Sequence, residues 1–120
     1  MTTISEFHGV RVQVLDRDGP LLRDQASALD VIGNTFGTEV DVVAVPVERL
    51  DPAFAQLSSG VAGAIVQKFV NYRLRLVIVG PLTDTSGPVE DWVREANRGC
   101  ELWFVADLAE LEWRLSGART

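Results

Sequence analysis

Three short runs of apolar residues constrain the fold of this chain more than any other feature. Valine-rich residues fill positions 41–47, and similar runs follow at 75–80 and 102–106. A strand that is apolar on both of its alternating faces has to be covered on both, as in a parallel sheet with helices packed on it. The runs therefore predict three buried strands of a mostly parallel sheet.

The segments between these runs carry apolar residues at helical spacing, which predicts four amphipathic helices. Their apolar stripes are Leu29, Ile32, Gly33 and Phe36, then Val61, Ile65, Phe69 and Tyr72, then Val89, Trp92, Val93 and Ala96, and finally Leu108, Leu111 and Leu115. Asp24 is the predicted N-cap of the first helix, and Gly37 the predicted left-handed residue that ends it. Asp107 and Glu110 predict a variant of the capping box for the fourth helix.

The N-terminal part of the chain predicts a β-hairpin. Residues 4–7 and 10–15 alternate in polarity and are separated by His8-Gly9, and residues 16–20 form a strong turn sequence. The resulting order is ββαβαβαβα in one α/β domain over residues 1–120, with a single mixed, mostly parallel sheet. Right-handed crossovers then bring the loops that follow the strands to one edge of that sheet.

Composition argues against several classes of partner. The formal charge of −6 leaves no basic stripe for a phosphate backbone, so we expect no nucleic acid. No apolar stretch approaches the roughly 20 residues that a membrane-spanning helix needs, so we expect a cytoplasmic protein without a membrane partner. One histidine and one cysteine offer no metal-ligand spacing, so we expect neither a metal nor a cofactor.

The sequence satisfies no catalytic template, and we predict no catalytic residue. His8 lies in the predicted hairpin turn, where a surface role is expected. Cys100 begins an apolar run without an activating base beside it, and we expect it to fill the core or a strand edge. The isolated carboxylates cannot be paired into an acid and a base from sequence alone.

The predicted start of the second helix is the most informative segment. Ser58 and Ser59 stand where the first helical amides point, and Gly60 and Gly63, with alanines beside them, keep this end of the helix bare. Free amides at the positive end of the helix dipole favour a carboxylate, another anion or a phosphorylated serine. The alternative is that one serine is an N-cap and the glycines allow close packing against the sheet.

The rest of the second helix offers polar candidates for recognition. Gln67 and Asn71 are four residues apart and so share one helical stripe, which Lys68 adjoins and which Tyr72 and Arg73 follow. These side chains are predicted either to form a recognition surface or to play ordinary roles. In the second case Asn71 and Tyr72 cap the helix and Lys68 is solvated.

A second polar group follows on the third helix. Glu95, Asn97 and Arg98 admit the same two interpretations. Glu95 and Arg98 are spaced as an i, i+3 ion pair.

Much of the chain resembles a family of bacterial proteins known as domain of unknown function family 4180. The resemblance is carried by Gly60-Val61-Ala62-Gly63, Gln67-Lys68-Phe69, Asn71-Tyr72-Arg73, Gly80 and Glu95-Ala96-Asn97-Arg98-Gly99. The family implies no established activity. The sequence departs from the family's pattern at Ala64, where an acidic residue is usual, and at Pro81, where an aspartate is usual. A site that relies on those carboxylates would be impaired here.

The order of elements and the residues Ser58-Ser59-Gly60-Val61 also resemble STAS domains, the anti-sigma factor antagonists. In that family a serine at this helix start is phosphorylated by a partner kinase, so the resemblance implies Ser58 as the phosphoacceptor. Leu57 stands where those proteins carry an aspartate, and a longer segment containing Pro52 precedes it.

The leading functional hypothesis is a non-catalytic, STAS-like regulatory module that presents the second helix to a protein partner. The rival hypothesis is a small-molecule or anion site, or a small enzyme, at the edge formed by Ser59-Gly60, residues 80–86 and residues 97–100. Ser59, Lys68, Thr83 and Glu95 would line that pocket. A third hypothesis is a homodimer that uses Trp113, which falls off its helix's apolar stripe. The alternative, which we favour, is that all three tryptophans, Trp92, Trp103 and Trp113, are buried in the core.

Overall fold

A computed structural model describes residues 3–82 and 87–117 of the chain. The strands are β1 (Thr3–Phe7), β2 (Val10–Val14), β3 (Val42–Pro46), β4 (Arg75–Val79) and β5 (Leu102–Val105). The helices are α1 (Gln25–Gly33), α2 (Val61–Asn71), α3 (Gly87–Arg98) and α4 (Leu108–Leu115). Three short 3-10 turns at Val47–Arg49, Pro52–Ala55 and Leu57–Ser59 connect β3 to α2.

The five strands form one mixed sheet in the order β1-β2-β3-β4-β5, which confirms the predicted architecture. β1 is antiparallel to β2, and every other neighbouring pair is parallel. Because strands adjacent in sequence are also adjacent in the sheet, each right-handed crossover steps in the same direction. The three crossover helices therefore lie on one face of the sheet.

The larger part of the core lies between the sheet and these three helices. Ile32 of α1 and Phe69 of α2 are buried there against strand residues such as Ile78. Phe54, in the second 3-10 turn, is fully buried, and its ring centroid lies 5.9 Å from that of Trp92. Burial of Phe54 anchors the long connection that leads to α2.

The opposite face of the sheet is covered by α4. Leu111 is fully buried against β-strand residues that include Val42 and Val77. Trp103 also faces this side, and the guanidinium carbons of Arg75 and Arg114 lie 4.1 and 3.9 Å from its ring centroid. Trp103 is thus held by two cation–π contacts as well as by burial.

The predicted helix caps are present. Asp24 accepts a hydrogen bond from the backbone N–H of Ser27, whose hydroxyl accepts one from the backbone N–H of Asp24. Asp107 accepts from the backbone N–H of Glu110. The carboxylate of Glu110 accepts from the N–H of Ala106, one residue before the N-cap, so this box is shifted relative to the usual pattern.

The predicted end of the first helix is wrong by several residues. α1 ends at Gly33 with Asn34 as its C-cap, and Gly37 lies in a later turn with a φ of +81°. The hydroxyl of Thr35 donates to the carbonyl of Ile32, which satisfies a carbonyl that a longer helix would have used. Phe36 consequently falls outside the helix and is 66% exposed.

The rarer side chains differ from expectation in two places. His8 is exposed in the hairpin turn, as predicted. Cys100 is exposed in the turn before β5, so of its two predicted places, the core or a strand edge, the core is wrong. Trp92 is half-buried and Trp103 is buried, whereas Trp113 is 53% exposed, so the prediction that all three tryptophans lie in the core is wrong.

Candidate functional site

The start of α2 is built by a tight turn that Ser59 stabilises. The Ser59 hydroxyl oxygen lies 2.7 Å from the carbonyl oxygen of Gln56 and 2.9 Å from that of Ala53. It also accepts a hydrogen bond from the backbone N–H of Val61 over 3.2 Å. Gly60 is the N-cap residue with a φ of +74°, a conformation that favours glycine. Ser59 therefore closes the turn and is not free to bind a ligand.

Ser58 differs from its neighbour. Its side chain is exposed, and its hydroxyl has no hydrogen-bond partner among the described residues. Helical geometry leaves the amides of Ala62 and Gly63 without a carbonyl to bind within α2, since the first bond of the helix joins Ala64 to Gly60. Both candidate serines are exposed, and Ser58 is the one whose hydroxyl makes no hydrogen bond within the described part of the chain.

A groove of about 620 Å³ runs between α2 and α3. The residues that line it are Ala62, Gly63, Val66, Gln67, Trp92, Glu95, Ala96, Gly99, Cys100, Glu101 and Leu102. Small residues on the two facing helices fill little of the space between them, so the groove stays open. It brings three predicted site residues together, namely Gly63, Gln67 and Glu95.

Gly63 leaves one wall of this groove without a side chain, although the packing of the fold does not require a glycine there. A Cβ atom added there would meet no atom within 4 Å, and Gly63 does not have a positive φ. The hypothesis that Gly63 permits close packing against the sheet is therefore wrong. Gly80 is a useful contrast, because its φ is +116° and a Cβ there would lie 2.8 Å from the Cγ1 atom of Val47.

Gln67 and Asn71 share a stripe of α2, as predicted. The side-chain amide of Gln67 donates to the side-chain carbonyl of Asn71 over 2.8 Å, and both residues are exposed. Asn71 is the last residue of α2, and Tyr72 is the C-cap. Lys68 is half-buried and does not line the groove. Gln67 is thus the member of the stripe that reaches the groove.

Tyr72 and Arg73 lie away from the groove. Tyr72 is 47% exposed, and its ring centroid lies 6.0 Å from that of Phe36. Arg73 has a φ of +61°. The N–H of Leu74 donates to the carbonyl of Phe69 and that of Arg73 to the carbonyl of Val70, which together form a Schellman motif.

Arg73 lines an adjoining cleft of about 390 Å³ at the amino ends of β3 and β4, which shares Cys100 and Glu101 with the groove. Asp41, Arg75 and Cys100 are among the other residues of that cleft. Arg73 itself does not line the groove that Gly63 and Gln67 line.

The three candidates on α3 divide between two roles. Glu95 faces the groove, and its carboxylate lies 3.6 Å from the guanidinium of Arg98 in an exposed i, i+3 pair. Asn97 is structural. Its side-chain oxygen accepts from the backbone N–H of Phe104, and Arg114 donates to the backbone oxygen of Asn97 over 2.7 Å.

The structure separates the parts of the rival site. Ser59-Gly60 and Gly80 follow the carboxyl ends of β3 and β4, whereas residues 97–100 precede the amino end of β5, because α3 runs back across the sheet. The groove that includes Glu95 does not include Ser59 or Lys68. Thr83 lies outside the described residues. Ser59, Lys68 and Glu95, the three described residues of the predicted pocket, do not line one pocket together.

Several residues of the groove are not predicted by the sequence. Trp92 and Ala96 were predicted as part of an apolar stripe, Val66 and Glu101 were not predicted as site residues, and Cys100 was predicted only as part of the rival edge. The signal in the sequence that could have predicted the groove is the set of small residues Ala62, Gly63 and Ala96 on two helices. Their meeting depends on the placement of α2 beside α3, which spacing along one helix does not give.

Residues 3–82 and 87–117 contain neither a metal-ligand cluster nor a membrane-spanning helix. No group of three histidine, cysteine, aspartate or glutamate side chains in this part of the chain is arranged to hold a metal ion. No helix in the same ranges has the length and apolar character needed to cross a membrane.

Comparison with known families gives one match. A family described as "Domain of unknown function (DUF4180)" matches residues 7–115, which confirms that resemblance. Comparison with curated proteins and with solved structures gives no match.

Proposed function

The chain belongs to the DUF4180 family, and on that premise we propose that it is a non-catalytic regulatory module that binds a partner protein. The binding surface is the start of α2 together with the groove between α2 and α3. One observation carries the proposal. Gly63 costs α2 roughly 0.5–1 kcal/mol relative to alanine, although no neighbouring atom requires a glycine there. Close approach of a second molecule accounts for a bare helix wall that the fold does not need.

The charge of the groove indicates the chemistry of the partner. Glu95 and Glu101 contribute carboxylates, and among the described residues no lysine, arginine or histidine lines the groove. The chain as a whole carries a formal charge of −6. Complementary charge favours a partner segment that brings a basic side chain to an otherwise apolar groove.

Polar groups at the rim supply directional contacts. The Gln67 side chain keeps its carbonyl oxygen free while its amide donates to Asn71. A partner backbone can donate to that oxygen, which would fix the register of an inserted segment. This interaction would favour an extended or helical peptide over a compact metabolite.

The STAS-like part of the proposal concerns regulation. Ser58 is exposed beside the groove-forming start of α2, and its hydroxyl has no partner in the described part of the chain. A phosphate there would place strong negative charge at the positive end of α2. Leu57 in place of the aspartate of STAS domains removes one acidic group from this turn.

The alternative function is a small-molecule or anion site at the carboxyl edge of the sheet. A cleft of about 540 Å³ supports a small-molecule site there, whereas its charged lining residues, Asp16, Arg17, Glu48 and Asp107, do not favour an anion. This cleft lies on the α4 side and shares no residue with the α2–α3 groove. Ligand binding there would be unaffected by substitutions in the groove.

The test compares groove variants with a matched control in partner capture from the source cell. Glu95→Lys reverses one groove charge and Gly63→Leu fills the groove, whereas Glu90→Lys makes the same charge change on α3 outside it. We expect a partner that binds the wild type and Glu90→Lys but is lost from both groove variants. A partner retained equally by all four proteins would contradict the proposal.

A further inference from the structure

The two outer edges of the sheet are treated differently. At the β5 edge, the side-chain oxygen of Asn97 accepts a hydrogen bond from the backbone N–H of Phe104 over 2.8 Å. A side chain thus occupies a backbone donor that another strand would otherwise use. At the β1 edge, every described pairing is with β2, and no described residue pairs with the outer side. β1 therefore presents an open edge.

The register of the hairpin shows which backbone groups of β1 point outward. β1 and β2 are joined by the two-residue turn His8-Gly9, and Phe7 pairs with Val10 across it. In such a hairpin the residues that flank the turn exchange both backbone hydrogen bonds, and the pattern then alternates. Phe7, Ser5 and Thr3 consequently bond inward to β2. The N–H and C=O groups of Ile4 and Glu6 point outward.

We propose that β1 pairs antiparallel with β1 of a second copy of this chain, centred on Ser5. Ile4 of each copy then lies opposite Glu6 of the other, and these two pairs exchange the four outward-facing backbone hydrogen bonds. A centre at Glu6 would place two carboxylates opposite each other, which is unfavourable. A centre at Ile4 would leave Glu6 with no residue of β1 opposite it. The Ser5 centre is the register that avoids both problems.

The side chains of β1 fit this pairing. Edge strands that stay unpaired commonly carry proline, a bulge or charged side chains, especially lysine. Thr3–Phe7 has no proline, lysine or bulge in its five-residue register, and its one charged residue, Glu6, lies opposite Ile4 in the proposed pairing. Ile4 lies on the face of the sheet that α1, α2 and α3 cover, and it is 41% exposed. In the dimer it contacts the aliphatic part of Glu6 from the other copy. The partner is a second copy because one strand supplies both halves of a two-fold, closed contact.

A cysteine cross-link tests the register directly. In an antiparallel pair the residues that are not hydrogen-bonded lie about 4.5 Å apart between Cα atoms, within the range for a disulfide. Ser5→Cys in a Cys100→Ser background should form a disulfide-linked dimer under mild oxidation. Ile4→Cys in the same background is the control, because Ile4 lies opposite Glu6 and only diagonal to its own copy. No cross-link at Ser5, or an equal one at Ile4, would overturn the proposal.

Amide hydrogen exchange gives a second measurement on the unmodified chain. We expect exchange at Ile4 and Glu6 to slow as protein concentration rises, while Ser5 and Phe7 are protected at every concentration. Light scattering should give the mass of two chains for wild type and of one chain for Glu6→Pro, which removes an outward N–H and no bond to β2. A monomeric wild type with rapid exchange at Ile4 and Glu6 at all concentrations would overturn the pairing, whatever the outcome for the groove.

Discussion

The side-chain oxygen of Asn97 accepts a hydrogen bond from the backbone N–H of Phe104, with 2.8 Å between donor and acceptor. The same oxygen lies 3.3 Å from Nη1 of Arg114. One amide therefore joins the end of α3, the outer edge of β5 and the last turn of α4. Asn97, a candidate recognition residue in the sequence, thus connects three elements of the fold.

Substitution of Asn97 should destabilise the fold. Asn97→Ala leaves the N–H of Phe104 without its acceptor and should lower the free energy of unfolding by about 1–3 kcal/mol. Asn97→Asp keeps an oxygen acceptor and should lose less. Urea denaturation of both variants measures the difference, and equal losses would show that the hydrogen bond to Phe104 is not the cause.

Replacement of Arg73 should stabilise the chain. Arg73 has a φ of +61° at the position of the Schellman motif where glycine is usual. Arg73→Gly should raise the free energy of unfolding by about 1 kcal/mol, because glycine adopts this conformation without a steric cost. Arg73→Ala keeps the Cβ atom and is the control. If both variants changed stability equally, the backbone conformation would not be responsible.

Gly63→Ala should also stabilise the chain, for a different reason. The added Cβ meets no atom within 4 Å, so α2 gains helix propensity of roughly 0.5–1 kcal/mol without a clash. Gly80→Ala, where a Cβ would lie 2.8 Å from a Val47 side-chain atom, should be destabilising. Thermal unfolding of the two variants tests the contrast. A less stable Gly63→Ala protein would mean that the fold itself needs this glycine.

The cap of α1 should respond to acid. The backbone N–H of Ser27, and then its side chain, hold the pKa of Asp24 below its ordinary value. A carboxyl with a lower pKa in the folded state stabilises above the unfolded pKa of about 3.9. That contribution is lost as pH falls through the folded pKa.

Asp24→Asn provides the comparison, since asparagine is also a good N-cap but does not titrate. The stability difference between wild type and Asp24→Asn should be constant near neutral pH and should change in acid. Urea titrations at a series of pH values measure it. A difference that stayed constant down to about pH 2 would contradict the assignment.

Much of the fold was accessible from local patterns. Strands β3, β4 and β5 were predictable because apolar residues occupy consecutive positions in each. In the structure such neighbours, for example Val42 and Val43, face opposite sides of the sheet and both are buried. The cap at Asp24 was predicted because a side chain and an amide three residues apart suffice to form it. The end of α1 was not predicted correctly, because turns around Thr35 stop the helix before Gly37.

The sequence by itself determined the strands, the helices, their order and the place where α2 begins, since each depends on residues close together along the chain. Only the tertiary structure decided that Gly63 faces a groove beside Glu95, that Asn97 occupies the edge of β5, and that Cys100 is exposed. These facts depend on which elements the crossovers place side by side. They also depend on the size of the side chains that meet there, and periodicity along one segment carries no information about either.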